Sequence, residues 1–315
     1  MTDVLVLRAL GLGDLLASVA ALRGLRRAWP GAHLVLAAPA ALGGWLQSLE
    51  VVDDVVEVQG LDDAAGLAAR AGSPEVAVNL HGRGPASHQV LERVRPGQFV
   101  GFACPEAGFD DGPQWRDDEH EVDRWIRLSQ WAGGAAEPVD LRLPAPGARR
   151  EHVVLHPGAA SGARRWPAQR WAEVAATLAA EGRRVMVTGT AAEADLCSQV
   201  AASAAGVEDQ CGRLDLPRLG RLVGTASLLL SGDTGVAHVA TAFGTPSVTL
   251  FGPIAPALWG PRIDPRLHRP LWHGAQPHLR PGDPHGTQPD ERLLAIGVPE
   301  VVDASHEALL VAATA

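Results

Sequence analysis

The run Ser231-Gly232-Asp233-Thr234-Gly235-Val236-Ala237-His238 follows a short apolar stretch, Leu228-Leu229-Leu230, and reads as a strand turning through small residues into a helix. At such a helix start the backbone N–H groups of Thr234 and Gly235 point outward with the positive end of the dipole, which suits an anion. Asp233 is spaced to accept hydrogen bonds from a sugar hydroxyl, and His238 falls one turn into the helix on the same side. The plainer alternative makes Asp233 an N-cap and His238 a partly buried helix residue. A second loop, Pro157 to Trp166, brings small residues, the hydroxyl of Ser161 and the guanidiniums of Arg164 and Arg165 after another short strand. Small residues let backbone amides approach an anion and arginines neutralise it, so the two loops together describe a pyrophosphate cradle. A third loop, Leu10-Gly11-Leu12-Gly13-Asp14, puts a carboxylate at the start of a helix. Asp14 is either a first-turn acid complementing the helix dipole or a carboxylate facing a substrate.

Several chemistries are excluded. None of the 27 cationic side chains is lysine, which removes a Walker A loop, a protein kinase and a pyridoxal Schiff base. A dinucleotide fingerprint would need glycine where Leu16 stands and an acid after the second strand, where the chain reads Ala37-Ala38-Pro39. No Asp-x-Asp pair or HExxH motif offers a metal site, and His268, His273, His278 and His285 read as part of a flexible acceptor-side loop. Three cysteines, Cys104, Cys197 and Cys211, show no CxxC spacing, which argues against a zinc ribbon or disulfide framework and fits a reducing compartment. A net charge of −9 argues against a nucleic-acid partner. The start is broken by Asp3, Arg8 and Asp14, unlike a signal peptide, and no long uncharged apolar run occurs, so a cytoplasmic protein is expected.

These loops need a scaffold that presents strand ends. Val4 to Arg8, His33 to Ala38, Asp54 to Val58, Glu75 to Leu80 and Gln98 to Phe102 read as strands alternating with helical patterns, closed by a helix over Glu119 to Trp131. Pro144, Pro146 and Gly147 then mark a linker, 144–151. Beyond it strands at His152 to His156, Arg184 to Thr188, Ser227 to Ser231 and Ser247 to Phe251 alternate with helices, and a last helix covers about Ala304 to Ala313. The expectation is an α/β fold of two Rossmann-like domains with parallel sheets, residues 1–143 and 152–315, the last helix being free to return to the first domain.

In this order the three loops, extended through Gly244-Thr245-Pro246 and Phe251-Gly252-Pro253, resemble glycosyltransferase family 9, which includes the lipopolysaccharide heptosyltransferases. The resemblance implies a GT-B fold and inverting, metal-independent transfer of heptose or a related sugar from a nucleotide-diphospho-sugar, ADP favoured, to a hydroxyl. No cofactor is implied. By resemblance Asp14 is the general base, and Ser161, Arg165, Glu193, Asp233, Thr234, Gly235 and His238 bind the donor, Glu193 at the ribose. Arg83 falls on the acceptor side. The partners implied are a nucleotide sugar and a glycan or glycolipid, with room for peripheral contact with the inner membrane face. Arg165 stands where the heptosyltransferases usually carry lysine. A carboxylate near a helix start is expected to be a weak base. A nucleotide-sugar epimerase or a non-catalytic nucleotide-sugar binder would also need such a cradle.

Overall fold

The computed structural model describes residues 2–275, 279–280 and 282–314. It resolves into two compact units, Met1–Leu141 and Arg142–Ala315.

The N-terminal unit runs β1 (Asp3–Leu7), α1 (Leu12–Ala17), α2 (Val19–Ala28), β2 (His33–Ala38), α3 (Ala40–Ser48), β3 (Asp54–Glu57), α4 (Ala64–Ala71), β4 (Val76–Asn79), α5 (Ala86–Glu92), β5 (Gln98–Val100) and α6 (Glu121–Trp131). Its strands pair in parallel in the order β3-β2-β1-β4-β5. Strand β1 is buried from Val4 to Leu7, as a central strand covered on both faces must be. The chain moves to one side of β1 through β2 and β3, then crosses to the other through β4 and β5. That reversal opens a crevice at the carboxyl ends of β1 and β4, where α/β sheets receive ligands.

The C-terminal unit repeats the logic with β6 (Val153–His156), α7 (Ala168–Ala180), β7 (Val185–Val187), α8 (Ala194–Ala201), β8 (Val207–Asp209), α9 (Leu216–Gly224), β9 (Leu228–Gly232), α10 (Gly235–Phe243), β10 (Ser247–Leu250), α11 (Pro256–Trp259), β11 (His268–Leu271), α12 (Glu291–Ala295) and α13 (Val298–Thr314). Its parallel order is β11-β10-β9-β6-β7-β8, and the reversal lies between β6 and β9, where His156 pairs with Ser231. The core of this unit gathers Leu155, Trp166, Trp171, Val174 and Leu230. The rings of Trp166 and Trp171 meet edge to face at 4.8 Å.

Three differences from the sequence reading have physical causes. Strands β8 and β11 were not expected, because Val-Glu-Asp and His-Arg-Pro-Leu carry no apolar run. Both are edge strands, where one-sided exposure tolerates charge and Pro270 costs no ladder bond. Arg142 and Leu143, expected at the end of the first domain, belong to the second unit, where the N–H of Leu143 donates to Ala242 O (2.8 Å), and in the linker Arg149 reaches the carbonyls of Ala226 and Gly244. Helix α13 starts earlier than expected and packs on α7, β9, β10 and β11 of its own unit. No helix among the described residues is long and apolar enough to cross a membrane.

Candidate functional site

Asp14 occupies the first turn of α1, directly after β1. Beneath it lies a buried charge network. The Arg8 guanidinium, fully buried, donates from Nε and Nη2 to Asp14 O at 3.0 and 2.8 Å, and from Nη1 to Leu80 O at the end of β4. Its Nη2 also reaches Glu121 Oε1 at 3.1 Å and stands 3.7 Å from the Asp14 carboxylate. Glu121 accepts from Trp125 Nε1 at 2.7 Å and pairs with Arg124, while Arg8 stacks 4.5 Å from the Trp125 ring centroid. Breaking a buried pair leaves an uncompensated charge and costs about 3–5 kcal/mol. The network therefore ties α6, β1 and β4 to the backbone that carries Asp14.

The Asp14 side chain keeps 34% exposure. Its carboxyl is pushed up from the ordinary aspartate value, chiefly by burial and secondarily by the negative charge of Glu121; Arg8 and the N–H groups of Asp14 and Gly11 pull the other way. Against the weak base expected from helix position alone, desolvation outweighs the lowering by Arg8 and by the two backbone N–H groups. On the neighbouring strand end, Asn79 is buried and committed to the loop, donating to Gly82 O and Ser87 Oγ and accepting from the His81 N–H. It is a structural knot, which leaves ligand contact in this loop to other side chains. His81 is held at a pKa of about 4 by burial and by Arg8, and its Nδ1 has no hydrogen-bond partner among the described residues. Arg83 is exposed.

In the C-terminal unit the two expected loops do come together. Arg164 Nη1 donates to Asp233 O at 3.1 Å, and a Cβ on Gly232 would lie 3.0 Å from Arg164 O. The Pro157–Trp166 loop is braced from outside as well. The N–H of Ala163 donates to Gly286 O (2.9 Å), the N–H of Asp290 donates to Ala163 O (3.2 Å), and Ser161 Oγ donates to Gly286 O at 2.9 Å while accepting from Ala163 N–H. The Ser161 hydroxyl hydrogen is therefore already used within the fold. Arg165 differs: it is exposed, and only its Nε is engaged, on Ala159 O at 2.8 Å. The two terminal nitrogens face no protein acceptor among the described residues, the condition a phosphate ligand requires.

Across the turn, Thr234 is the N-cap of α10 and makes no side-chain cap bond, so the N-cap alternative for Asp233 is set aside. Asp233 is buried, whereas Thr234, Gly235 and His238 keep partial exposure. Thr234 Oγ1 is buried without a hydrogen-bond partner among the described residues. His238 packs edge to face on Trp259 at 5.9 Å. Glu193 closes a capping box, its Oε2 accepting from Thr190 N–H and Oγ1 at 2.8 and 2.9 Å, and its carboxylate lies directly over Gly158, where a Cβ would displace it. The cradle thus assembles from the ends of β6, β7 and β9. Sequence reasoning missed Arg8 and Glu121 as the supports of Asp14 in the other unit, and took Arg164 for a charge on the anion where it braces Asp233 O; the signal available for Arg8 was a lone arginine ending the apolar run of β1.

The remaining histidines are scattered. His268 hydrogen-bonds Ser247 within the sheet, His273 pairs with Glu300 at 3.0 Å and His285 is exposed; His278 lies outside the described residues. The described ones form no shared metal site. A cavity of about 630 Å³ lined by Arg150, His152, Arg183 and Arg221 sits at the amino ends of β6 and β7, away from the strand ends that carry the cradle.

Lipopolysaccharide heptosyltransferase 2 of Escherichia coli (strain K12) is 32% identical over 114 residues, 34% of this chain and 32% of that protein. The chain thus spans about a third of that relative's length. Two solved structures share the fold over nearly all of both chains. One is E. coli ADP-heptose lps heptosyltransferase II (TM-score 0.79, 21% identity, 98% of this chain and 99% of that one). The other is an E. coli heptosyltransferase with ADP (TM-score 0.74, 19% identity, 98% and 100%). The two parallel-sheet units match the GT-B architecture that the resemblance implied. The family model described as glycosyltransferase family 9 (heptosyltransferase) matches residues 118–277, just over half of the 315, and the chain belongs to that family.

Proposed function

We propose that this protein transfers a sugar, heptose or a close relative, from a nucleotide-diphospho-sugar to an acceptor hydroxyl, with inversion and without a metal at the transferring centre. The observation that carries the reading is the braced cradle at the β6/β9 reversal, where Arg165 presents unpaired donors beside the start of α10. A relative solved with ADP supports an adenine nucleotide, and relatives named for lipopolysaccharide support a glycan or glycolipid acceptor. The acceptor would be met at the cytoplasmic face of a membrane.

In this reading the donor pyrophosphate rests on the amides of Thr234 and Gly235 and on Arg165, with Glu193 at the ribose and Asp233, Thr234 and His238 toward the sugar. As the bond from the sugar carbon to phosphate breaks, negative charge grows on the nucleotide diphosphate. Donors already oriented by the fold stabilise that charge without reorganising. Asp14 takes the acceptor proton while the hydroxyl oxygen bonds to the anomeric carbon from the opposite face. Arginine in place of the usual lysine at 165 keeps the charge and offers two coplanar donors instead of a point charge. His81 and Arg83 are the side chains left for the acceptor, since Asn79 is spent on its own loop.

The test incubates the purified enzyme with ADP-heptose and a truncated lipopolysaccharide core and follows both by mass spectrometry. The acceptor should gain one sugar and ADP should appear in equal amount. Isomerised donor in the absence of acceptor would make the protein an epimerase, and tight donor binding with neither product would make it a binder.

A further inference from the structure

Cys197 on α8, Asp209 at the end of β8 and Cys211 just beyond it bring their two sulfurs and a carboxylate oxygen within 4.8 Å of one another. They come from residues separated in sequence without any CxxC spacing, so only the fold reveals the cluster. We propose that these three residues form a site for a soft divalent cation such as zinc, adjoining the Glu193 end of the nucleotide cradle and separate from the transferring centre.

The ligand set decides the class of ion. Two sulfurs and one carboxylate suit zinc, or cadmium as its probe; magnesium and calcium require oxygen-only shells. Around a tetrahedral zinc with bonds of roughly 2.0–2.3 Å, ligand atoms sit about 3.5 Å apart. Closing from the observed spacing takes about an ångström, within reach of small side-chain rotations.

The surroundings are already arranged. The Cys211 N–H donates to Asp209 Oδ1 at 2.8 Å, which fixes the carboxylate plane, and Oδ2 has only a long 3.4 Å contact from Ser198 Oγ. Outer partners of this kind orient metal ligands. The Cys211 thiol donates to Thr190 O at 2.9 Å, and the buried Cys197 thiol faces Thr188 O at 3.7 Å. Both sulfurs converge on Gly189: a Cβ there would lie 2.6 Å from Cys197 Sγ and 3.1 Å from Cys211 Sγ. Glycine at 189 is what lets the sulfurs approach this loop.

Cys197 is buried and Cys211 partly exposed, so an ion has a solvent-facing entrance and water can complete the tetrahedron from that side. Binding releases both thiol protons as two zinc–sulfur bonds form. The bound ion would staple α8 to the end of β8, behind the loop that carries Glu193.

The experiment uses the full chain, metal-stripped and kept reduced with a phosphine. Cobalt(II) is added first, then zinc against a chromogenic chelator. One cobalt per chain should bind with tetrahedral ligand-field bands and a thiolate charge-transfer band, and zinc should displace it, while magnesium should not. Cys211→Ser and Asp209→Asn remove partly exposed ligands and should fold, as circular dichroism would check. Each should weaken zinc binding by more than the roughly 10–100-fold that loss of an outer partner costs, and Cys211→Ser should abolish the charge-transfer intensity of its sulfur. Octahedral cobalt spectra, or zinc binding equal in wild type and both variants, would overturn the site.

Discussion

The two units place their candidate residues at the same topological position and equip it in opposite ways. At the β1/β4 reversal the apparatus is made of side-chain charge: Arg8, Glu121 and Arg124 are buried and mutually paired, and they hold an acid, Asp14, whose proton is bound more tightly than in water. At the β6/β9 reversal it is made largely of backbone: small residues, a helix start, and arginines anchored through carbonyls with donors to spare. The first arrangement tunes one proton. The second, in the proposed function, receives an anion. A shared fold therefore says where to look, and the polar inventory at each strand end says what happens there.

The largest expected effect lies on the proton side. Asp14→Asn should lower transfer by about 10²–10⁴-fold, the range a positioned general base supplies, while calorimetry finds ADP binding within a few-fold of wild type. Because the base must be ionised, activity should fall as pH drops through a midpoint above the 3.8 of an unperturbed aspartate. The stability sign runs oppositely. A carboxyl whose folded pKa is raised favours the fold at low pH, and that contribution is lost as pH rises through the folded value. Asp14→Asn should therefore melt higher than wild type at neutral pH and match it in acid. Normal turnover by this variant would remove the contrast between the units.

Glu121 tests whether the proton side depends on its buried support. Glu121→Gln keeps shape but leaves Arg8 and Arg124 short of a counter-charge, so denaturant unfolding should report a loss of about 3–5 kcal/mol. It also removes a negative charge that raises the Asp14 carboxyl. The activity midpoint should accordingly move to lower pH. A purely structural residue would change stability without moving that midpoint.

How far the sequence announced this contrast differs between the units. The two loops proposed as the cradle were legible because their residues are contiguous: Ser231 to Gly235 and Pro157 to Trp166 each lie on one strand-to-helix turn, and local spacing is enough to place them. The support of Asp14 was not, since Arg8 and Glu121 are far apart in the chain and meet only through packing around Trp125. The same reasoning explains the elements. Buried central strands such as β1 and β6 write themselves as apolar runs, whereas the edge strands β8 and β11 do not. Helix α9 carried a readable start that the sequence reading did not use, an Asp215 N-cap with Pro217 in the first turn. The cluster of Cys197, Asp209 and Cys211 was invisible for the reason that hid Glu121: its members meet only in three dimensions.

The anion side gives the smallest and most selective effects. Arg165→Ala removes two unengaged donors and one charge, and charge-assisted hydrogen bonds are worth about 1.5–3 kcal/mol. ADP affinity should fall by roughly 10–100-fold with unfolding unchanged, because the one internal bond lost among the described residues is that of Nε to Ala159 O at an exposed position. Ser161→Ala should do the reverse. Its hydroxyl is committed to Gly286 O and Ala163 N–H, so losing it should cost the fold about 0.5–2 kcal/mol, as loss of a cap does. ADP affinity should change no more than a few-fold. The two residues both match donor-phosphate positions by resemblance, yet the structure gives only one of them free donors. If Ser161→Ala weakens ADP as much as Arg165→Ala does, the hydroxyl must exchange its carbonyl partner for phosphate on binding, and the turn at Gly286 becomes part of the cradle instead of its frame.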